Sequence, residues 1–253
     1  MSAYVFSDLH AQYNLWKQIK NFIKPEDIVF CLGDCVDRGP DSLNILYEVM
    51  NTPNITLLRG NHEDFISYIG SKLVAANDED VYDLREYLDL WYMNGAKNTV
   101  EAFEKLSLSE KKDLIAKIKA LPTHVEYTNK FGDVIYLCHA GRNPQTKEIE
   151  DTRTEFFKFY STSVPTDNFI WDRSHIGELE WKGLDNEYCV HGHTPVMYMK
   201  EIIRFMDFEP AVDDEIYKYC GGHKINIDLG SFITHRACLL NLDTFEPIYF
   251  EEN

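Results

Sequence analysis

Two rhythms of apolar residues alternate over the first sixty positions. Short unbroken apolar runs at Ala3–Phe6, Ile28–Leu32 and Ile55–Leu58 predict strands buried on both faces. Between them the apolar positions recur at helical spacing. Leu15, Trp16, Ile19, Phe22 and Ile23 mark a helix over Tyr13–Ile23 that Pro25 closes, and Leu43, Leu46, Tyr47 and Met50 mark one over Ser42–Met50. The resulting β-α-β-α-β order predicts a parallel sheet with helices packed on it. Residues 65–120 read as a mostly helical insert, with helices over Ser71–Trp91, Asn98–Leu106 and Ser109–Leu121, the last stopped by Pro122. Beyond it the texture turns to strands at Val134–Cys138, Tyr188–Val190, Ile225–Asp228, Ala237–Leu242 and Pro247–Glu251, joined by loops. No repeat, low-complexity tract or linker interrupts the chain, so residues 1–253 are expected to form one α/β domain with two sheets.

Composition narrows the partners. A formal net charge of −17 repels a phosphate backbone, so a broad nucleic-acid groove is not expected. Small phosphorylated ligands remain compatible if positive potential is gathered at one place. The six cysteines (Cys31, Cys35, Cys138, Cys189, Cys220 and Cys238) form no CxxC pair and read as reduced, mostly buried thiols. No apolar run approaches bilayer length, and a chemically loaded residue stands as early as Asp8, leaving no room for a leader. A cytoplasmic protein without membrane contact is the expectation.

The chemistry sits where strands end. Asp8-Leu9-His10 follows the first strand, Gly33-Asp34 the second, and Gly60-Asn61-His62-Glu63 the third. Neighbouring parallel strands end side by side at one edge, where ligands collect, so these residues should converge although they span 55 positions. Each motif alone is weak; three in this order are not. His139, in Cys138-His139-Ala140-Gly141, and His193, in Val190-His191-Gly192-His193-Thr194-Pro195, again follow strands. Mixed carboxylate, imidazole and amide donors suit Mn, Fe or Zn better than an all-oxygen calcium site.

These segments together resemble the phosphoprotein phosphatase branch of the calcineurin-like metallophosphoesterases, most of all its short bacterial and phage members. Gly33-Asp34-Cys35-Val36-Asp37-Arg38-Gly39 is the most specific element. Trp91–Gly95, Trp171-Asp172-Arg173 and Ile227–Gly230 add to the likeness, which covers residues 4 to about 245. It implies a four-layer sandwich of two mixed β-sheets flanked by helices. It also implies two divalent metal ions, Mn2+ first with Fe or Zn as alternatives. Asp8, His10 and Asp34 would hold the first metal, and Asp34 would bridge to a second completed by Asn61, His139 and His193. A hydroxide between the metals would attack phosphorus in line. His62 would be the general acid, with Asp37 as its partner, and Arg38, Arg173 and Arg59 would grip phosphate. His191 is expected to support the ligands without being one.

The expected activity is hydrolysis of phosphate monoesters on phosphoserine, phosphothreonine or small molecules. Relatives with nearly the same motifs cleave dinucleoside polyphosphates, the second reading. A metal-binding scaffold without catalysis is the third, and it conflicts with the joint presence of His62, Asp37 and Arg38. The insert 65–120 and the loop 142–185 are expected to decide between the first two. Trp91, Trp171 and Trp181 read as packing residues, and Ala11 stands where relatives carry glycine.

Overall fold

The structure, a computed structural model, describes residues 1–75, 81–142, 168–178, 180–199 and 215–252. Two five-stranded mixed sheets make up the centre. The first has the order β10-β9-β1-β2-β3, with β1 Ala3–Phe6, β2 Ile28–Cys31, β3 Ile55–Leu57, β9 Arg236–Asn241 and β10 Pro247–Glu251. The second has the order β4-β5-β6-β8-β7, with β4 His124–Thr128, β5 Val134–Cys138, β6 Glu187–His191, β7 Tyr217–Tyr219 and β8 Lys224–Asn226. As predicted, β1, β2 and β3 run parallel. β5, β6 and β8 form a second parallel set, and antiparallel strands close three of the four sheet edges.

Strand period explains the layers. Successive side chains point to opposite faces, so Tyr4, Phe6, Val29, Cys31 and Leu239 face the helices while Val5, Phe30, Leu32 and Leu240 face the other sheet. The register keeps like with like, setting Val5 opposite both Phe30 and Leu240. From the second sheet, Ile135, Leu137, Val190 and Ile225 complete the inter-sheet layer. The outer layer on the first sheet contains α1 Tyr13–Phe22, α2 Ser42–Met50 and the insert helices, anchored by Trp16, Leu46, Phe65, Trp91 and Phe103. On the second sheet a smaller cluster of Ile176, Val196, Met199, Tyr217 and Tyr219 lies under short helical turns at 174–177 and 196–199.

The insert is helical, as expected. It opens with α3 Asn61–Phe65, a π-turn Ile66–Gly70 and α4 Ser71–Ala75, and continues with α5 Val81–Met93, α6 Lys97–Glu104 and α7 Leu108–Lys119. Residues 76–80 of the predicted Ser71–Trp91 helix lie outside the described residues, as do 143–167 of the loop 142–185. Two strands escaped the sequence pattern. β4 is an edge strand with no fully buried residue, and β7 has three residues. Neither length nor burial gives such strands a strong apolar signature.

Candidate functional site

The carboxyl ends of β1, β2, β3, β5 and β6 meet at one place, and the backbone there is unusual. Seven side-chain-bearing residues hold positive φ: Asp8 (53°), His10 (43°), Ala11 (59°), Asp34 (55°), Asp37 (65°), Arg38 (65°) and His193 (67°). The left-handed region costs a residue with a Cβ about 1–2 kcal/mol, so the surroundings must hold these turns in place. Backbone bonds from Asp8 to Gly33, His10 to Asp34 and Ala11 to Cys35 do so, each N–H donating to the next loop's carbonyl. Ala11 keeps the glycine-like conformation despite its methyl group. Gly60 admits no side chain, because a Cβ there would stand 2.2 Å from Asp34 Oδ1.

Asp34 is the hub. Its Oδ1 accepts the His62 N–H (3.0 Å) at the start of α3, where free backbone donors favour a carboxylate. Its Oδ2 lies 3.7 Å from His10 Nε2, 3.8 Å from His62 Nε2 and 3.3 Å from His139 Nε2. Burial alone would raise its pKa, but the neighbouring histidines, the charge of His139 first, bring it well below the usual carboxylate range. Two groups of buried potential metal donors, each with its atoms within 4.8 Å of one another, share it: His10–Asp34–His62 and Asp34–His139–His193.

Around the second group, lone pairs face lone pairs. His139 Nδ1–H donates to the Leu32 carbonyl (3.1 Å), which turns Nε2 toward Asn61 Oδ1 at 2.8 Å. His193 Nδ1 is 2.8 Å from the same oxygen and 3.2 Å from His139 Nε2. Such crowding calls for a cation. Burial opposes a charge on His139, but Asp34 and Asp8 outweigh it and push its pKa up to about 9. His10 and His193 go the other way, burial and then a nearby arginine holding them well below the ordinary histidine value and leaving their lone pairs free. The donor set therefore fits divalent transition metals. His10 Nδ1–H is tied to the Val36 carbonyl (3.0 Å), presenting Nε2 in the manner of an oriented ligand.

Asp8 has a different setting. Its carboxylate accepts the Ser7 hydroxyl and the His193 N–H (3.1 and 3.2 Å), and it belongs to neither donor group. Burial, with Asp34 adding to it, raises its pKa. His62 bonds through Nδ1 to Asp37 Oδ2 at 2.6 Å, and Trp91 Nε1 donates to the same oxygen at 2.9 Å. Trp91 is thus more than the packing residue its context suggested. Arg38 donates from Nη1 to His10 Nε2 and from Nη2 to His62 Nε2, 3.0 Å each. Arg173 Nε donates to Thr194 Oγ1 (3.1 Å), and desolvation, then the charge of Arg38, lowers its pKa although the residue as a whole is exposed. Arg59 instead reaches toward Asp64 (3.7 Å).

Two further buried acids, Glu63 and Asp228, stand beside the site. Glu63 accepts the Asp34 and Gly60 N–H groups with Oε2 and the Cys35 N–H with Oε1, pinning the β2 and β3 loops together. Burial and Asp34 push its pKa up to about 7. Asp228 is 2% exposed, and burial and Asp8 push its pKa well up. Both stood inside segments that carried the resemblance, which was the available signal.

A family model described as Calcineurin-like phosphoesterase matches residues 1–197. Serine/threonine-protein phosphatase 2 of Salmonella typhimurium is 24% identical over 96% of this chain and 91% of its own. A symmetrical bis(5'-nucleosyl)-tetraphosphatase of Wigglesworthia glossinidia brevipalpis is 34% identical, over 32% of this chain and only 31% of its own length. Among solved structures, a metallophosphoesterase from Sphaerobacter thermophilus matches all of this chain and 89% of its own with a TM-score of 0.54 at 15% identity, a likeness of fold.

Proposed function

Because the chain belongs to the calcineurin-like phosphoesterase family, we propose that it is a metal-dependent phosphatase acting on phosphoserine and phosphothreonine monoesters. The observation that carries the metal chemistry is Asp34, whose carboxylate is common to both donor groups, as a bridging ligand must be. Asp8, His10 and Asp34 would hold one divalent ion, and Asp34, Asn61, His139 and His193 the other, Mn2+ before Fe or Zn. When bound, the pair supplies Lewis acidity to the phosphoryl oxygens and lowers the pKa of the attacking water.

The protein's own groups do the rest. Arg38 and Arg173, at the mouth, would grip phosphate oxygens through paired hydrogen bonds, with Arg59 at the flank a weaker candidate because it faces Asp64. An incoming phosphate competes with His62 for Arg38. As the guanidinium turns to the phosphate, His62 Nε2 is released. With Nδ1–H held by Asp37, Nε2 can then carry a proton to the departing oxygen. Such an acid is worth about 10²–10⁴ in rate, and most where the leaving group is a serine or threonine alkoxide. Symmetrical cleavage of a dinucleoside tetraphosphate releases a nucleoside diphosphate, a better leaving group that needs less help. A phosphatase relative aligned over nearly the whole chain favours monoesters. The Wigglesworthia relative favours the second reading, symmetrical cleavage of dinucleoside tetraphosphates.

Rates with added Mn2+ on p-nitrophenyl phosphate, a phosphothreonine peptide and diadenosine tetraphosphate test the assignment. The peptide should be turned over, and His62→Asn should slow it far more than p-nitrophenyl phosphate. A kcat/KM highest for diadenosine tetraphosphate, or equal slowing of both monoesters, would defeat it.

A further inference from the structure

Behind the second donor group lies a buried chain of polar side chains that the chemistry above does not use. His175 is 3% exposed, Tyr219 5% and His191 0%. His175 Nε2–H donates to the Ala140 carbonyl at 2.5 Å, immediately after His139. His175 Nδ1 is 3.2 Å from the Tyr219 hydroxyl, and the same hydroxyl is 2.9 Å from His191 Nε2. His191 Nδ1 lies 3.1 Å from the carbonyl of Gly192, the residue before His193. The two imidazoles also meet edge to face at 4.9 Å. The loop after β5 is seated directly on this chain, since a Cβ at Gly141 would stand 2.4 Å from His175 Cε1. The two ligand loops are tied to each other as well, Gly192 N–H donating to the His139 carbonyl at 2.9 Å.

We propose that His175, Tyr219 and His191 are positioning residues, a bracket that holds the loops bearing His139 and His193 at the separation the second metal ion requires. This rests on the metal reading above. Tyr219 is the keystone, because only a hydroxyl can donate to one imidazole while accepting from the other. With one proton on each ring the order is single: His191 Nε2–H to Tyr219 Oη, Tyr219 O–H to His175 Nδ1, and His175 Nε2–H to the Ala140 carbonyl. His191 Nδ1 then has no proton for the Gly192 carbonyl, and His191 holds the His193 loop through the chain itself, two residues before His193. Burial, with Lys224 nearby, lowers the His175 pKa to about 3 and keeps that ring neutral. His175 begins two residues after Arg173, so the bracket also fixes the segment that carries the second phosphate-facing guanidinium. Lys224, itself buried, reinforces it by donating to the His175 carbonyl at 2.9 Å.

The test is Mn2+ binding to the full chain, followed by calorimetry and by the spin-coupled signal of a Mn pair in electron paramagnetic resonance, for the wild type and Tyr219→Phe. The substitution removes one hydroxyl and keeps the ring. Outer partners of metal ligands typically set affinity by about 10–100-fold. The expected result is a second-site Kd raised about 10-fold or more, with the first-site Kd and the unfolding temperature of the metal-free chain unchanged. Unchanged affinity at both sites, or equal weakening of both, overturns the bracket. Should Tyr219→Phe fail to fold, His175→Ala is read the same way, since it removes both the bond to the Ala140 carbonyl and the acceptor for Tyr219. A wild type that takes up two Mn2+ while the variant matches it defeats the bracket alone; a wild type that takes up none defeats the metal reading and the bracket with it.

Discussion

Arg38 Nη2 stands 3.0 Å from His62 Nε2, the nitrogen from which a proton would leave for the substrate. The other arm of the same guanidinium contacts His10 Nε2 at 3.0 Å, and the ring of Phe232 lies 4.4 Å beneath its central carbon. Before substrate arrives Arg38 thus rests between two imidazoles and an aromatic face, and a phosphate must draw one arm away from His62. Its two arms serve separate neighbours, which an ammonium cannot imitate.

Arg38→Lys is accordingly expected to lower kcat/KM on phosphomonoesters about 100-fold, the scale found for loss of one preorganised charge-stabilising donor. Steady-state kinetics measure this, and a loss under threefold would remove Arg38 from phosphate binding.

Trp91→Phe tests the indole donor. The phenyl ring leaves a small cavity where the indole was fully buried, and Asp37 Oδ2 loses the 2.9 Å indole donor while keeping His62; Asp37 Oδ1 has no partner among the described residues. A buried acceptor stripped of a donor costs about 1–3 kcal/mol. Urea unfolding should show that loss, and rates should fall more for alkyl phosphates than for p-nitrophenyl phosphate. Unaltered stability would mean the bond carries no weight.

Gly192→Ala addresses how closely the site is built. Its Cβ would stand 2.0 Å from Asp8 Oδ2 and 2.4 Å from Ser7 Oγ, so Asp8 must move. Elemental analysis should find fewer than two Mn2+ per chain in this variant. Gly132→Ala, whose Cβ meets nothing within 4 Å but whose φ of +91° strains any side chain, should lose stability and still keep the wild-type content.

Glu48 offers a pH-dependent test away from the site. Lys20, then Tyr13 and Trp16, bond its carboxylate and hold its pKa down at about 2 against an ordinary 4.5. A folded value below the unfolded one means stability that is complete above about pH 4.5 and lost as pH falls toward 2. Its side chain is 29% exposed, so the contribution is about 1 kcal/mol after solvent screening. Glu48→Gln should therefore destabilise the chain more at pH 7 than at pH 3 by urea unfolding. Equal destabilisation at both values would contradict the assignment.

The local part of this protein was legible in its sequence. Both-faces-buried runs set the parallel strands because a period of two leaves no polar face when helices and a second sheet cover them, and Val5, Phe30 and Leu240 meet as that rule requires. The residues just after those strands could be picked out because strand ends of a parallel sheet share an edge, and Asp34, Asn61, His62, His139 and His193 do come together. Only the tertiary structure decided the partners. The Trp91 bond to Asp37 spans 54 positions, the His193 bond to Asp8 spans 185, and Tyr219 joins His175 and His191 from an edge strand whose buried–exposed–buried alternation lasts only three residues. Sheet order and register set such contacts, and these are fixed when the two sheets close on each other; no spacing along the chain encodes them.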